Sequence, residues 1–362
     1  MVWAAATQQA NVIFDQAIQQ LADGDYAAAE QGFRAVLRQQ PRHIGAIGNL
    51  GIIYARTNRT DQAISEYKRA LHLSPDDEPI LLNLGIVYLK RELHAAALPY
   101  FARVIAIDPQ HQQARQLLAV CRLYAGQVRI AIHELEDLRT THTQEEQLVF
   151  LLGFAYLKNG EPGKAQAIFN QMFEVAGPAR AQFLLGRACY EAAVFPRAEE
   201  NYLAVQRLDA NYPGLHVELG KLYISERRTD DAIRELRLAL QENGSNEDAA
   251  YFLGSLLVQE SRYEEGLGYL EQAKKLKPDA WAIYFYLGRA KLRLGQNAEA
   301  IGLLQRAVEL NPDNATALYQ LGRALQLEGR KVEAARVLSR ARDLKAEELN
   351  GAVKELRIPG VR

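Results

Sequence analysis

Histidines are the first residues to consider for chemistry, because imidazole binds metal ions and moves protons near neutral pH. A metal site needs several ligands at short, regular spacings on a helix or loop. None of the histidines has another histidine, a cysteine or a suitable carboxylate at such a spacing. The sequence therefore predicts no metal site. The histidines are His43, His72, His94, His111, His133, His142 and His216.

Residues 160–164 have the glycine and lysine composition of a phosphate-binding loop. Such a loop needs a fixed spacing, a serine or threonine after the lysine and a preceding strand. Here the spacing differs, Ala165 follows Lys164, and no strand pattern comes before. We interpret the stretch as a turn between two helices.

Paired acids could serve as an acid and a base, but those of this chain fall near predicted helix starts or on exposed helix faces. In those places a carboxylate is solvated or is stabilised by the helix dipole. The sequence also lacks a nucleophile elbow and a glycine-rich dinucleotide fingerprint. We therefore predict that the chain is not an enzyme and binds no cofactor. The paired acids are Glu145 and Glu146, Glu199 and Glu200, and Glu264 and Glu265.

The residues that recur in order along the chain are small and apolar. With Gly85 as an anchor, the same site returns every 34 residues, with one interval of 33 between Gly153 and Gly186. Self-similarity at a period of this size indicates a repeat array. The other anchors are Ala17, Gly51, Ala119, Gly220, Gly254, Gly288 and Gly322. The clearest copy has Leu81, Leu84, Gly85 and Tyr88, then Ala97 and Phe101, then Pro109.

Each repeat is predicted to form two helices joined by a short turn. Its apolar residues recur at spacings of three and four, which is typical of amphipathic helices. The small anchor and an alanine in the second half, Gly85 and Ala97 in the clearest copy, allow two helices to approach closely. The proline at the end, here Pro109, stops the second helix because it cannot continue the hydrogen-bond ladder.

This pattern resembles the tetratricopeptide repeat family over residues 10–348. The resemblance implies an all-α fold, a right-handed α-solenoid (superhelix) of antiparallel helix pairs whose first helices line a concave groove. We expect a lead-in at 1–9, ten repeats in one solenoid at 10–348, and a capping helix and tail at 349–362. Irregular repeats predict changes of superhelical twist near 140–146 and 174–179.

Two positions on each first helix are candidates for contact with a partner. The residues three before and one after each anchor are four apart, so they share a helix face. The resemblance implies that this face points into the groove. In the later repeats these positions are mostly aromatic or cationic. With Arg293 from the next helical turn, the predicted binding residues are Phe150, Phe154, Phe183, Arg187, Lys221, Tyr251, Phe285, Arg289, Arg293, Tyr319 and Arg323.

Stacked aromatic rings offer rigid contact area, and the cations would bind carboxylates or backbone carbonyls. The alternative is that such aromatics are common in the family and that arginine there is simply solvated. In the earlier repeats the position after the anchor is aliphatic, which indicates either an apolar groove wall or closer contact between successive first helices. The aliphatic residues are Ile18, Ile52, Ile86 and Val120.

The partner is predicted to be a protein or peptide that is acidic or carries a free carboxylate. The family's clamp for chaperone tails is not predicted, because Gly48 and Ile52 replace two of its polar residues. A net charge of −1 argues against nucleic acid as a partner. No apolar run reaches the 18 or so residues of a membrane span.

The sequence is most consistent with a non-catalytic protein–protein interaction scaffold. The alternatives are the substrate-recognition arm of a larger enzyme complex and a structural subunit of an envelope or secretion assembly. Self-association through an end face is also compatible with the pattern. Cys121 and Cys189 are predicted to be buried and unbridged, which leaves the compartment open. The cytoplasm is favoured, and a periplasmic or secreted location would follow if an upstream signal peptide had been removed.

Overall fold

The computed structural model describes residues 2–141, 145–171 and 176–356. Within those ranges side chains are described from residue 8 to residue 347, except that of Thr141. The described chain forms twenty α-helices and no strand. It divides into two compact units, Met1–Val194 and Phe195–Arg362.

The first unit is built from helices in antiparallel pairs, in which each odd-numbered helix is the first of its repeat and each even-numbered helix the second. Its helices are α1 (Val2–Ala22), α2 (Tyr26–Gln39), α3 (Ile44–Arg56), α4 (Thr60–Leu73), α5 (Glu78–Lys90), α6 (His94–Ile107), α7 (Gln112–Tyr124), α8 (Val128–Thr141), α9 (Glu146–Lys158), α10 (Pro162–Asn170) and α11 (Pro178–Glu191).

The second unit continues the same order of first and second helices. Its helices are α12 (Phe195–Leu208), α13 (Leu215–Ser225), α14 (Thr229–Glu242), α15 (Glu247–Gln259), α16 (Tyr263–Leu276), α17 (Trp281–Arg293), α18 (Asn297–Leu310), α19 (Ala315–Leu327) and α20 (Lys331–Leu356). The predicted all-α solenoid fold is confirmed.

The turn inside every repeat contains one residue with positive φ, seven positions after the anchor. In half of the turns this residue is glycine, as at Gly295 with φ of 75°. In the others it carries a side chain, and those residues are Asn58, Glu92, Ala193, Arg227 and Ser261, with φ from 58° to 64°. The left-handed residue ends the first helix and turns the chain back antiparallel.

We expect Arg227→Gly to stabilise the protein by about 1 kcal/mol. Arg227 is exposed and has φ of 60°, a conformation that costs a residue with a Cβ atom about that much. The matched change Gly295→Ala should cost a similar amount, since Gly295 occupies the same turn position. Urea denaturation of both variants tests the prediction, and shifts of the same sign would contradict it.

The anchor residue faces the second helix of its own repeat. A Cβ atom on Gly85 would lie 2.6 Å from Cε1 of Phe101, and one on Gly288 would lie 2.6 Å from Cγ of Leu304. Phe101 and Leu304 are both 0% exposed. The side chain sixteen residues after the anchor therefore fills the space that a side chain at the anchor would need.

A buried ion network joins the first repeat to the second. Arg59 donates to both carboxylate oxygens of Glu30, at 3.1 Å and 2.6 Å, and the Tyr54 hydroxyl donates to Glu30 at 3.3 Å. The Arg59 guanidinium also lies 4.5 Å from the Tyr54 ring centroid. Glu30 is only 9% exposed, so the network supplies the partners that a buried carboxylate needs.

The same network recurs in the second unit. Arg228 donates to Glu199 at 2.7 Å, and its guanidinium lies 4.0 Å from the centroid of the Tyr223 ring. Burial, followed by the neighbouring Glu199 carboxylate, raises the pKa of Tyr223 to about 12. Because these residues hold the same repeat positions as Glu30, Tyr54 and Arg59, the network is a recurrent contact between successive repeats.

We expect Glu30→Gln to make unfolding less sensitive to acid. Hydrogen bonds from Arg59, acting against the opposing effect of burial, hold the pKa of the Glu30 carboxyl below its usual 4.5. A carboxyl with a lowered folded-state pKa stabilises the fold above its unfolded pKa, and this stability is lost as pH falls through the folded value. Thermal unfolding at pH 7 and at several pH values below about 4.5 should show a larger loss of Tm in the wild type. Equal losses would contradict the assignment.

The two chain ends differ from the predicted boundaries. Helix α1 begins at Val2, so described residues of the expected lead-in already belong to the first helix. Helix α20 continues to Leu356, so residues 349–356 extend the second helix of repeat ten instead of starting a separate cap. No proline stands between Lys331 and Leu356, so nothing in this stretch forces the hydrogen-bond ladder of the helix to end. Residues 357–362 lie outside the described residues.

The predicted twist changes near 140–146 and 174–179 include residues 142–144, 174 and 175, which lie outside the described residues. The arrangement of one solenoid at 10–348 therefore stays a prediction. His142 also lies outside the described part of the chain.

Candidate protein-binding surface

The geometry of each first helix decides which side chains are left for a partner. The anchor faces the second helix, and each residue turns the helix by about 100°. The residue one after the anchor and the residue five after it therefore point well away from the packed face. In repeat nine these residues are Arg289 and Arg293, which are partly buried and exposed, respectively.

Three arginines on first helices of the second unit have no ion pair within the described residues. Arg289 and Arg293 lie on α17, and Arg323 holds the position of Arg289 on the next first helix, α19. Tyr319 lies on the same face of α19 as Arg323 and is 50% exposed. The arginines and Tyr319 are called the arginine face below.

Lys221 is different from these arginines. Its ammonium group lies 3.0 Å and 2.9 Å from the two carboxylate oxygens of Glu218, one helical turn earlier. The two charges cancel, and the pair is partly buried. The structure thus gives Lys221 a partner of its own. Among the cationic binding residues predicted in this unit, only those of the arginine face lack an ion pair within the described residues.

An aromatic cluster lies beside Arg289. The Tyr286 ring is 6.2 Å from that of Tyr251 and 5.2 Å from that of Phe285, and Trp281 lies 6.1 Å from Phe285. Burial raises the pKa of Tyr251 to about 12. Burial also raises the pKa of Tyr286, and the positive charge of Arg289 acts against that rise. Arg289 stands three residues after Tyr286 on α17, so the two side chains share one face of the helix.

Only part of this aromatic cluster is open to a partner. Phe285 is 8% exposed, so its ring packs between helices and presents little surface. Tyr251 and Tyr286 are partly buried. The sequence prediction included Phe285 and Tyr251 and missed Tyr286, which stands two residues before its anchor. The signal was available, because Phe252 holds the same position one repeat earlier, and its ring lies tilted against that of Tyr251 with centroids 5.1 Å apart.

The first unit has its own aromatic and cationic group. Phe150 and Phe154 stack with centroids 6.5 Å apart, and the Arg187 guanidinium lies 5.4 Å from the Phe150 ring. Lys158 lies 5.4 Å from the rings of both Phe154 and Tyr124. The predicted residues Phe150, Phe154 and Arg187 are thus neighbours.

Burial separates these neighbours into packing residues and surface residues. Phe154 is 2% exposed, whereas Tyr124 is 49% exposed. Phe183 and Arg187 are partly buried. Tyr124 and Lys158, both five residues after an anchor, were missed although Arg293 was recognised at that position. Arg293 was selected because it stands one helical turn after Arg289. The same reasoning applied to every repeat would have identified Tyr124 and Lys158.

The aliphatic positions of the earlier repeats are mainly packed. Ile52 and Ile86 are partly buried against the hydrophobic clusters of their repeats. Ile18 is 38% exposed. These contacts favour the interpretation that the aliphatic residues bring successive helices together.

No group of three potential metal-ligating side chains occurs in the described part of the chain. Cys121 and Cys189 are buried and unbridged. Burial raises the pKa of the Cys121 thiol to about 11, which keeps it protonated and unreactive. In the described ranges, no helix is both long enough and apolar enough to cross a membrane.

Comparison with protein families gives two kinds of match. Tetratricopeptide repeat models match residues 14–78 and 150–214, residues 78–111, and residues 291–356. A model described as "Regulator of microtubule dynamics protein 1-3" matches residues 249–317.

One curated relative is anaphase-promoting complex subunit 3 of Schizosaccharomyces pombe. It is 26% identical over 158 residues, which make up 44% of this chain and 24% of that protein. The chain thus spans about a quarter of the length of that relative.

Similar solved structures are also repeat proteins. A tetratricopeptide repeat protein from Parabacteroides merdae superposes with a TM-score of 0.55 at 18% identity, covering 68% of this chain and 98% of that one. YrrB, described as a TPR protein with an unusual peptide-binding site, has a TM-score of 0.44 at 23% identity, covering 52% and 98%. At 18% identity, the likeness to the Parabacteroides merdae protein shows a shared fold alone.

The repeated anchors, the ten left-handed turns and the matching repeat models agree with one another. Folds of this kind are typically non-catalytic scaffolds suited to protein–protein interaction. The chain belongs to the tetratricopeptide repeat family.

Proposed function

We propose that this protein is a non-catalytic scaffold that binds an extended, acidic segment of a partner protein on its arginine face. The observation that carries the proposal is a set of arginines on neighbouring first helices that have no ion pair within the described part of the chain, namely Arg289, Arg293 and Arg323. An arginine that is not paired with a carboxylate of its own protein keeps its planar fork of donors available for a carboxylate of a ligand.

The register of these arginines suggests a spacing for the ligand. Arg289 and Arg323 hold equivalent positions on successive first helices, whose axes pack about 10 Å apart. An extended chain advances about 3.3–3.6 Å per residue. Two acidic side chains about three residues apart, or one acidic side chain and a terminal carboxylate, would therefore meet both arginines.

The aromatic side chains beside the arginines would add contact area. Tyr319, Tyr251 and Tyr286 are rigid and keep a polar hydroxyl, so they can pack on the partner without much loss of side-chain freedom. Lys221 and Phe285 have smaller parts in this proposal, because one is neutralised by Glu218 and the other is nearly buried. A second proposed contact area lies in the first unit and consists of Phe150, Phe183 and Arg187. The buried Phe154 ring stacks against Phe150 and supports it.

A second candidate function is that of a recognition subunit within a larger assembly. The similarity to a protein named as a subunit of the anaphase-promoting complex favours it, although the alignment covers only 24% of that protein. In that case the arginine face would hold a neighbouring subunit or a substrate of the complex.

Affinity capture from the source cells tests the proposed function. Wild-type protein and the Arg289→Glu/Arg323→Glu variant would be immobilised side by side, and the retained proteins identified by mass spectrometry. We expect acidic partners that are retained by the wild type and lost by the variant. Recovery of the same partners by both proteins would refute the role of the arginine face.

A further inference from the structure

A second charged surface lies on the other side of the helix pairs, in the first unit. A cleft of about 560 Å³ runs between second helices α2 and α4, and residues of first helix α3 line its floor. It shares no residue with the arginine face, which lies on α17 and α19. Its rim carries Arg34, Arg38 and Arg69. Its apolar surface comes from the partly buried Leu37, because Leu50 and Tyr54 are only 2% and 3% exposed.

The rim is positively charged. The lining contains three arginines and a single carboxylate, that of Glu66, which pairs with Arg69 at 3.2 Å. Glu30 lies beside the cleft and pairs with Arg34 at 2.7 Å, but it also binds Arg59. Counting Glu30 and Arg59 leaves the balance unchanged, so the cleft has an excess of two positive charges in a protein whose net charge is −1.

Two of the arginines are held in fixed positions. Arg34 donates through Nη2 to the Tyr54 hydroxyl at 3.1 Å, and Arg69 donates to the carbonyl oxygen of Pro41 at 2.8 Å. Within the described residues the bonds of Arg34 leave from Nη2, so Nε and Nη1 can still donate to a ligand. Arg38 is exposed and has no ion pair among the described residues. Arginines already held in place lose less side-chain entropy when a carboxylate binds.

We propose that this cleft binds a protein segment in which acidic residues flank an aliphatic or aromatic side chain. The apolar side chain would enter the cleft and contact Leu37, and the flanking carboxylates would pair with Arg38 and the arginines on the rim. The volume lies within the range of about 300–1,000 Å³ that is typical of binding pockets and exceeds what a single small anion would fill. The apolar surface of Leu37 between these cations matches the apolar side chain of the ligand and its flanking charges.

Binding of a labelled synthetic peptide, measured by fluorescence anisotropy, tests the proposal. The peptide carries glutamates on both sides of a leucine–phenylalanine pair, and a control peptide has lysines in place of the glutamates. We expect the acidic peptide to bind the wild-type chain and the lysine peptide not to bind. Arg38→Glu should weaken the acidic peptide on the order of tenfold, and Arg38→Lys should weaken it less.

Arg207→Glu is the matched control, because Arg207 is an exposed arginine on second helix α12, outside the cleft. It should leave the affinity unchanged. Arg38→Glu and Arg207→Glu are each made in the Arg289→Glu/Arg323→Glu background, because glutamates three positions apart also match the spacing proposed for the arginine face. Circular dichroism would confirm that each variant is folded. The proposal is overturned if the Arg289→Glu/Arg323→Glu protein does not bind the acidic peptide, if Arg38→Glu and Arg207→Glu behave alike in that background, or if inorganic phosphate or a single-stranded oligonucleotide displaces the peptide at equal concentration.

Discussion

Replacement of Gly254 by alanine is expected to destabilise repeat eight by about 1–3 kcal/mol. A Cβ atom at this position would lie 2.7 Å from Cγ of Leu270 and 3.0 Å from the carbonyl oxygen of Gly266. Leu270 can change its rotamer only within a packed core, and the Gly266 carbonyl is part of the α16 backbone. The two helices of the repeat would therefore have to move apart, and the contacts that each makes with neighbouring repeats would weaken.

Gly268→Ala is the control for this change, because Gly268 lies on α16 in the same repeat and a Cβ atom there would meet nothing within 4 Å. It should stabilise the protein by about 0.5–1 kcal/mol through the loss of backbone freedom in the unfolded chain. Urea unfolding of both variants, followed by circular dichroism, measures the two effects. Destabilisation by both substitutions, or by neither, would show that close helix approach at the anchor is not what requires glycine.

The second large effect is expected in binding. Arg289→Glu combined with Arg323→Glu should weaken an acidic partner by at least about tenfold for each arginine, since a hydrogen bond to a charged group contributes about 1.5–3 kcal/mol. Reversal of charge adds repulsion to the lost bonds. Neither arginine has an ion pair in the described residues, so helicity and unfolding should change little.

A matched control separates local contact from net charge. Lys275→Glu with Arg342→Glu changes the net charge by the same amount, but both residues are exposed on second helices α16 and α20. Exposed charges more than about 10 Å from a ligand are largely screened at ordinary salt. The control variant should therefore bind almost as well as the wild type.

The fold could be predicted almost entirely from the sequence, for a physical reason. Each repeat contacts mainly its neighbours, so the spacing of small and apolar residues specifies both the helices and their partners. Gly85 and Phe101, sixteen residues apart, show how one short motif determines one helix pair. The length of α20 was harder to predict, because a helix continues for as long as no residue forces it to stop, and the sequence marks that point less clearly than it marks a repeat.

The binding surface was predicted less completely. Spacing identifies the helix face of Phe285 and Arg289 but not how deeply each side chain is buried, because burial depends on the helices to either side. Phe154 and Phe285 proved to be packing residues for this reason. The pairing of Lys221 with Glu218 could have been found, since residues three apart on a helix are neighbours.

The Glu30 network shows what comparison between repeats could have added. Its members are distant in sequence, and in one repeat they look like ordinary surface charges. Their recurrence as Glu199, Tyr223 and Arg228 is a pattern that alignment of the repeats would detect. Recurrent polar residues at equivalent positions are therefore better first candidates for contacts between repeats than for function.

The most direct test of the central claim is calorimetric titration with a synthetic extended peptide whose two acidic residues are three positions apart. The wild type, Arg289→Glu/Arg323→Glu and Lys275→Glu/Arg342→Glu would be compared at low and at high salt. We predict binding by the wild type and the control that weakens as salt rises, and a loss of affinity of at least about a hundredfold in the arginine variant. Equal affinity of all three proteins for the peptide would contradict the assignment of the arginine face as the binding surface.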